Sequence, residues 1–137
     1  MNTGKIRFVI LPDRAMDIAQ AYYKENTVSW LSKTGITAPA FYEKDDLNWL
    51  RGFYGCLITT CGLKNIGGPV GKHGLHGRIA NTPAENISVF SDWVGDEYIM
   101  KVTDEMRESV VFGEIFCFEE QLPQSFLLKN LLSKTPS

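Results

Sequence analysis

A chain of 137 residues has room for one ordinary domain at most. Its apolar fraction of 44% supplies a core and excludes a disordered chain, and its net charge of −2, with both signs scattered, excludes the basic footprint of a nucleic-acid binder. No apolar run reaches the roughly 18–20 residues of a membrane span, and three cysteines without a framework spacing suit a reducing compartment, so a cytoplasmic protein without nucleic-acid or membrane partners is expected.

In chain order the pattern is mostly β. Residues 5–11 (KIRFVIL) are short, β-branched and apolar, and Pro12 ends them. Residues 15–23 fit strand–turn–strand better than helix, because their apolar positions hold no helical stripe. Residues 27–31 alternate, with Val28 and Trp30 on one side and Ser29 and Leu31 on the other. Residues 33–41 carry Gly35 and Pro39 and read as loop, and 43–46 form a charged turn. Trp49 and Arg51 then alternate along a further strand. Residues 52–61 (GFYGCLITTC) read as a strand buried on both faces, its two glycines marking a bulge or a close backbone contact. A loop covers 62–74, and a short strand restarts at 77–79 before Pro83. Residues 87–94 and 97–102 form a hairpin across Gly95 and Asp96, and 106–112 is another strand. Strands at this spacing imply an all-β sandwich or barrel. From Ile115 onward the alternation disappears, and 126–132 is leucine-rich with a helical tendency.

Residues 59–84 (TTCGLKNIGGPVGKHGLHGRIANTPA) hold both histidines among dense glycines. Such glycines form tight turns or admit a ligand close to the backbone. In a strand, His76 and Arg78 face the same side, placing a proton-transfer group beside a planar multidentate donor. Cys56, Cys61, His73 and His76 approach a two-Cys, two-His zinc pattern. Their gaps of four, eleven and two residues miss the finger spacing, so no metal is expected. Asp13 and Arg14, with Asp17 close behind, read either as a solvated turn or as a buried pair shaping a pocket floor. The indole of Trp49 and the guanidinium of Arg51 suit the apolar face and the hydroxyls of a sugar, or else form an ordinary surface stack.

Several stretches together carry a family likeness: LPDRAMDIAQAYY (11–23), SWLSKTG (29–35), PAFYE (39–43), WLRGFYGCLITTCGL (49–63), GLHGRIANTPAEN (74–86) and MRESVVFGE (106–114). In order and spacing they resemble the aldose 1-epimerase (galactose mutarotase-like) family, in its branch long labelled a domain of unknown function. Cys56 departs from an expected glycine pair, and Asp104 with Glu105 from an expected Gly-Lys pair. The resemblance implies part of a β-supersandwich with a sugar cleft, a small-molecule carbohydrate partner and no cofactor. It implies general acid–base chemistry on a hexose-like sugar: a glutamate takes the anomeric proton while a histidine protonates the ring oxygen. By motif, His76 resembles the first cleft histidine and the expected catalytic residue. Arg51 resembles the sugar-holding arginine, and Arg78 belongs to the branch's own signature; Trp49, Asp13 and Arg14 complete the expected substrate-binding set.

No residue here matches the family's second histidine or its catalytic glutamate. The expected organisation is therefore a partial β-sandwich domain over 1–114 and a tail over 115–137 foreign to the family. A one-base shift at the Glu114 codon would account for that tail, because the alternative frame restores strand alternation. Three outcomes stay open: an inactive piece of an epimerase-like isomerase, a non-catalytic sugar-binding module, or a non-functional truncated product.

Overall fold

The computed structural model describes residues 1–62, 65–111 and 114–121, from residue 109 onward as backbone alone. The described residues form three antiparallel β-sheets and no α-helix, as an all-β reading requires. Among the described residues no helix is long and apolar enough to cross a membrane.

The first sheet orders β1 (Ile6–Leu11), β2 (Asp17–Tyr23) and β3 (Asn26–Thr27). Phe8 turns inward between exposed Arg7 and Val9 and packs with Ile18 and Ala21. Pro12 opens a 3₁₀ turn, Pro12–Arg14, and Ala15 and Met16 follow at φ 47° and 60°. The reversal thus lies at 15–16, and residues 17–23 form a single strand. Left-handed backbone is costly for side-chain-bearing residues. Here the Ala15 N–H donates to the Thr82 carbonyl (3.1 Å), and the Ala15 carbonyl accepts from Thr60 Oγ1 (2.7 Å).

Residues 27–31 are not one strand. They divide between β3 and β4 (Trp30–Leu31), and β4 pairs with β5 (Gly55–Cys56) in a second sheet. Ser29 Oγ accepts the Ala21 N–H at 3.0 Å, a side chain standing where a ladder carbonyl would be. The strand expected over 52–61 shortens to those two residues of β5, because Gly55 and Cys56 sit at φ 87° and 121° and break the extension. A methyl group at Gly55 would collide with the Trp30 carbonyl oxygen. Beyond them Leu57 and Ile58 are 46% and 51% exposed, so this stretch is not buried on both faces.

Residues 48–52 also depart from the extended reading. The N–H groups of Asn48, Leu50 and Phe53 donate to the carbonyls of Asp45, Leu47 and Leu50, which winds Asn48–Gly52 into a 3₁₀ helix. Trp49 therefore turns into the core and Arg51 outward. The strand expected at 77–79 is likewise absent: His76 and Gly77 lie at φ 57° and 68°, and Ile79–Asn81 forms a 3₁₀ turn.

The third sheet orders β6 (Glu85–Val94), β7 (Glu97–Val111) and β8 (Glu114–Gln121). The hairpin closes at Gly95 and Asp96 as read, with Val94 opposite Glu97. The stretches 97–102 and 106–112 are not separate strands; β7 runs through residues 97–111 without a break. Met100, Val102, Asp104, Met106 and Glu108 share one buried face at period two. Met106 meets Ala15, Ile79 and Ala84, which ties this sheet to the turns at 12–16 and 79–84. Backbone pairing carries residues 114–121 along β7 with Arg107 opposite Cys117. The helical tendency at 126–132 lies outside the described residues. β6 is exposed along both faces, Val89 by 72% on one and Val94 by 53% on the other.

Candidate functional site

The glycine-rich segment folds back on itself and onto residues 44–49. Val70 and His73 exchange backbone hydrogen bonds of 2.9 and 3.0 Å. Three residues further out on each side, the His76 N–H donates to the Gly67 carbonyl (2.9 Å), and the Gly67 N–H donates to His76 Nδ1 (3.1 Å). The Leu75 N–H donates to the Asp46 carbonyl at 2.8 Å. Gly74 lies so close to the Lys44 carbonyl that a Cβ has no room. Because Nδ1 accepts, neutral His76 carries its proton on Nε2, which makes that nitrogen a donor. The ring meets Trp49 edge-on at 4.9 Å, and Trp49 stacks on Phe53 at 5.0 Å. Trp49 Nε1 is buried without a hydrogen-bond acceptor.

Arg78 leaves the same turn toward β7. Its Nε donates to Glu108 Oε1 at 3.0 Å, joining a half-exposed guanidinium to a buried carboxylate. The Tyr42 hydroxyl donates to the Gly77 carbonyl at 3.2 Å, between the two site residues. Burial pushes the Tyr42 phenol up, the charge of Arg78 draws it down, and that of Glu108 raises it again. His76 and Arg78 therefore come from one turn but are held by different partners, not by strand alternation.

A second polar cluster is fully internal. Arg14 is buried, with Nη1 donating to the Thr37 carbonyl (2.9 Å), Nε 3.9 Å from Asp17 Oδ2, and the guanidinium 4.9 Å from the Tyr54 ring centre. Asp17 accepts from the Tyr54 hydroxyl (3.1 Å) and the Thr60 N–H (2.7 Å). Burial raises its carboxyl to about 6, against those hydrogen bonds and the Arg14 charge. Burial and the neighbouring carboxylate push the Tyr54 phenol upward. Asp104 is buried with neither carboxylate oxygen hydrogen-bonded, and burial raises it too.

Residues 1–127 match the model of a domain of unknown function, DUF4432. The chain belongs to the DUF4432 family. The match includes both polar clusters and runs on past Glu114. No curated protein and no solved structure matches the chain.

Within this DUF4432 chain, the residues singled out by sequence divide into three places. His76, Trp49 and Arg78 gather around the glycine-rich turn. Arg14 lies in the internal cluster and pairs with Asp17, while Asp13 is exposed. Arg51 projects into solvent and makes two hydrogen bonds to Glu43, of 2.9 and 3.0 Å. Sequence reading missed Tyr42, Tyr54 and Glu108. The signal for Glu108 was present: it shares the parity of Met100, Val102 and Met106, so alternation alone placed a carboxylate on a buried face. Cys56 lies beside Thr59, its Sγ 2.7 Å from Oγ1, and among the described residues no three His, Cys, Asp or Glu side chains are grouped to hold a metal ion.

Proposed function

We propose that this DUF4432 chain carries part of a sugar-binding cleft of the aldose-1-epimerase type, built on a galactose-mutarotase-like sandwich. The observation that carries the reading is the state of His76. Its Nδ1 is satisfied by the Gly67 N–H, which leaves Nε2–H as the donor toward a ligand, and Trp49 fixes the ring plane. A histidine so oriented suits donation of a hydrogen bond to a sugar ring oxygen or hydroxyl. Arg78, half open to solvent and oriented by Glu108, suits the hydroxyls. Trp49 is buried, so its role in this reading is to position His76 rather than to stack on the sugar. Glu108 is engaged by Arg78, and the resemblance places the proton-accepting glutamate on no residue of this chain. The proposal is therefore binding of a hexose-like sugar without mutarotase turnover.

The test is thermal unfolding with glucose and galactose, alongside polarimetry. A hexose at 100 times its Kd stabilises by about 2.7 kcal/mol, a readable shift. His76→Ala should abolish the shift while keeping the far-ultraviolet circular dichroism, and fresh sugar should mutarotate at its spontaneous rate with either protein. Absence of any sugar response in the unsubstituted chain would sink the proposal. A second reading, an inert piece of the same fold, is favoured by the exposure of β6 along both faces, and it predicts that absence.

A further inference from the structure

Away from His76, the open end of the β1–β2 hairpin holds a cavity of about 400 Å³, lined by Asn2, Lys5, Arg7, Tyr22, Lys24 and Glu25. Three cations and one carboxylate line it, in a chain whose net charge is −2. The register explains how they meet. Arg7 lies directly opposite Tyr22, and the Lys24 N–H donates to the Lys5 carbonyl one step further out. Like charges brought together across a strand pair destabilise it unless an anion offsets them. Arg7 is oriented by its neighbour: the guanidinium lies over the Tyr22 ring, 4.5 Å from the centroid. That contact holds the planar fork without using its N–H donors, and among the described residues no carboxylate pairs with it. The Lys24 ammonium lies 5.6 Å from the Tyr23 ring, again without a carboxylate partner among them. A guanidinium held flat with its donors unspent, between two lysines in a concave polar cavity, has the chemistry of a phosphate receptor.

We propose that this cavity binds a small phosphorylated molecule, with Arg7 as the principal ligand, Lys5 and Lys24 adding charge, and Glu25 opposing it. The site stands on the first sheet and the residues flanking its strands, and it does not depend on the sugar reading. The test is isothermal titration of the full chain with inorganic pyrophosphate, using sodium chloride at matched ionic strength as the blank. The expected result is saturable binding that weakens as salt is raised. Arg7→Ala should weaken it by roughly tenfold, the scale of a lost charge-assisted hydrogen bond. Glu25→Gln should tighten it by roughly two- to threefold, because one exposed opposing charge is removed from a screened site. That gain cannot come from unfolding, so it separates loss of ligand contacts from loss of structure. No saturable binding to the unsubstituted chain, or equal affinity in Arg7→Ala, would overturn the proposal.

Discussion

Ionisation of Asp17 should set the slope of stability against pH on the acid side. Its carboxyl is wholly buried, accepts hydrogen bonds from the Tyr54 hydroxyl and the Thr60 N–H, and lies near the Arg14 guanidinium. Those contacts favour the anion, but burial outweighs them and lifts the group from the ordinary 3.8 to about 6. The folded state therefore keeps a proton that the unfolded chain has already released. Stability from this group is full below pH 4, falls as pH rises toward 6, and is level above that. At 1.36 kcal/mol per pH unit, the loss across the window is about 3 kcal/mol. Urea unfolding at pH 4, 5, 6 and 7 measures it, with Asp17→Asn as reference, since the amide cannot ionise while the other carboxylates titrate equally in both proteins. Asp104, also raised by burial, cancels in that difference. Because the unfolded carboxyl is already about half ionised at pH 4, the difference between the two proteins should change by about 2 kcal/mol from pH 4 to 7, to the disadvantage of the unsubstituted chain. Arg14→Leu removes the positive charge that opposes the effect and should move the window to higher pH. A flat difference, or one that favours the unsubstituted chain as pH rises, would refute the reasoning.

Met106→Ala should cost about 2–5 kcal/mol in chemical unfolding, because the side chain is fully buried against Ala15, Ile79 and Ala84 at the junction of sheet and turns. Gly74→Ala should destabilise by about 1–3 kcal/mol and displace His76 from Trp49, since the new methyl meets the Lys44 carbonyl; a changed tryptophan emission spectrum reports it. Arg78→Ala should destabilise more than Glu108→Gln, by about 1–3 kcal/mol in urea, because it strands a buried carboxylate whereas the amide can still accept a hydrogen bond from Arg78. The apolar residues open on both faces of β6 should bind a hydrophobic dye, and Val89→Lys should lower that signal and reduce self-association in light scattering.

Elements set by local chemistry were legible in the sequence. The β1 run ending at Pro12 and the hairpin at Gly95 follow from side-chain pattern and turn residues, and both stand where the pattern put them. Elements decided by backbone sign were not. Nothing in the letters LNWLRG distinguishes a strand from the 3₁₀ helix that successive i to i+3 hydrogen bonds produce, so strand alternation puts Trp49 and Arg51 on one face whereas they lie on two. His76 at a positive φ has the same character: its proximity to Arg78 in sequence was visible, but the turn that hands each to a different partner was not. The alternative of a buried pair near Asp13 and Arg14 was open from composition. The structure assigns it to Arg14 and Asp17, because the 3₁₀ turn and the left-handed pair at 15–16 carry both inward and leave Asp13 outside.

The two polar clusters are mechanically connected, which gives the strained turn at 15–16 a role beyond reversing the chain. Thr60 holds it from one side, donating its backbone N–H to Asp17 and its hydroxyl to the Ala15 carbonyl. From the other side, the Ala15 N–H donates to the Thr82 carbonyl and the Ala84 N–H to the Pro12 carbonyl. The segment so clamped begins immediately after Arg78, and Ile79 lies in the same apolar contact as Ala15 and Met106. A left-handed Ala–Met pair persists only where its surroundings over-determine it. Here those surroundings are the internal carboxylate network on one side and the turn that presents His76 and Arg78 on the other. Loss of the Asp17 network should therefore loosen the turn beneath the candidate site before it unravels the β6–β7 hairpin, whose ladder from residues 88 to 103 draws on none of these contacts.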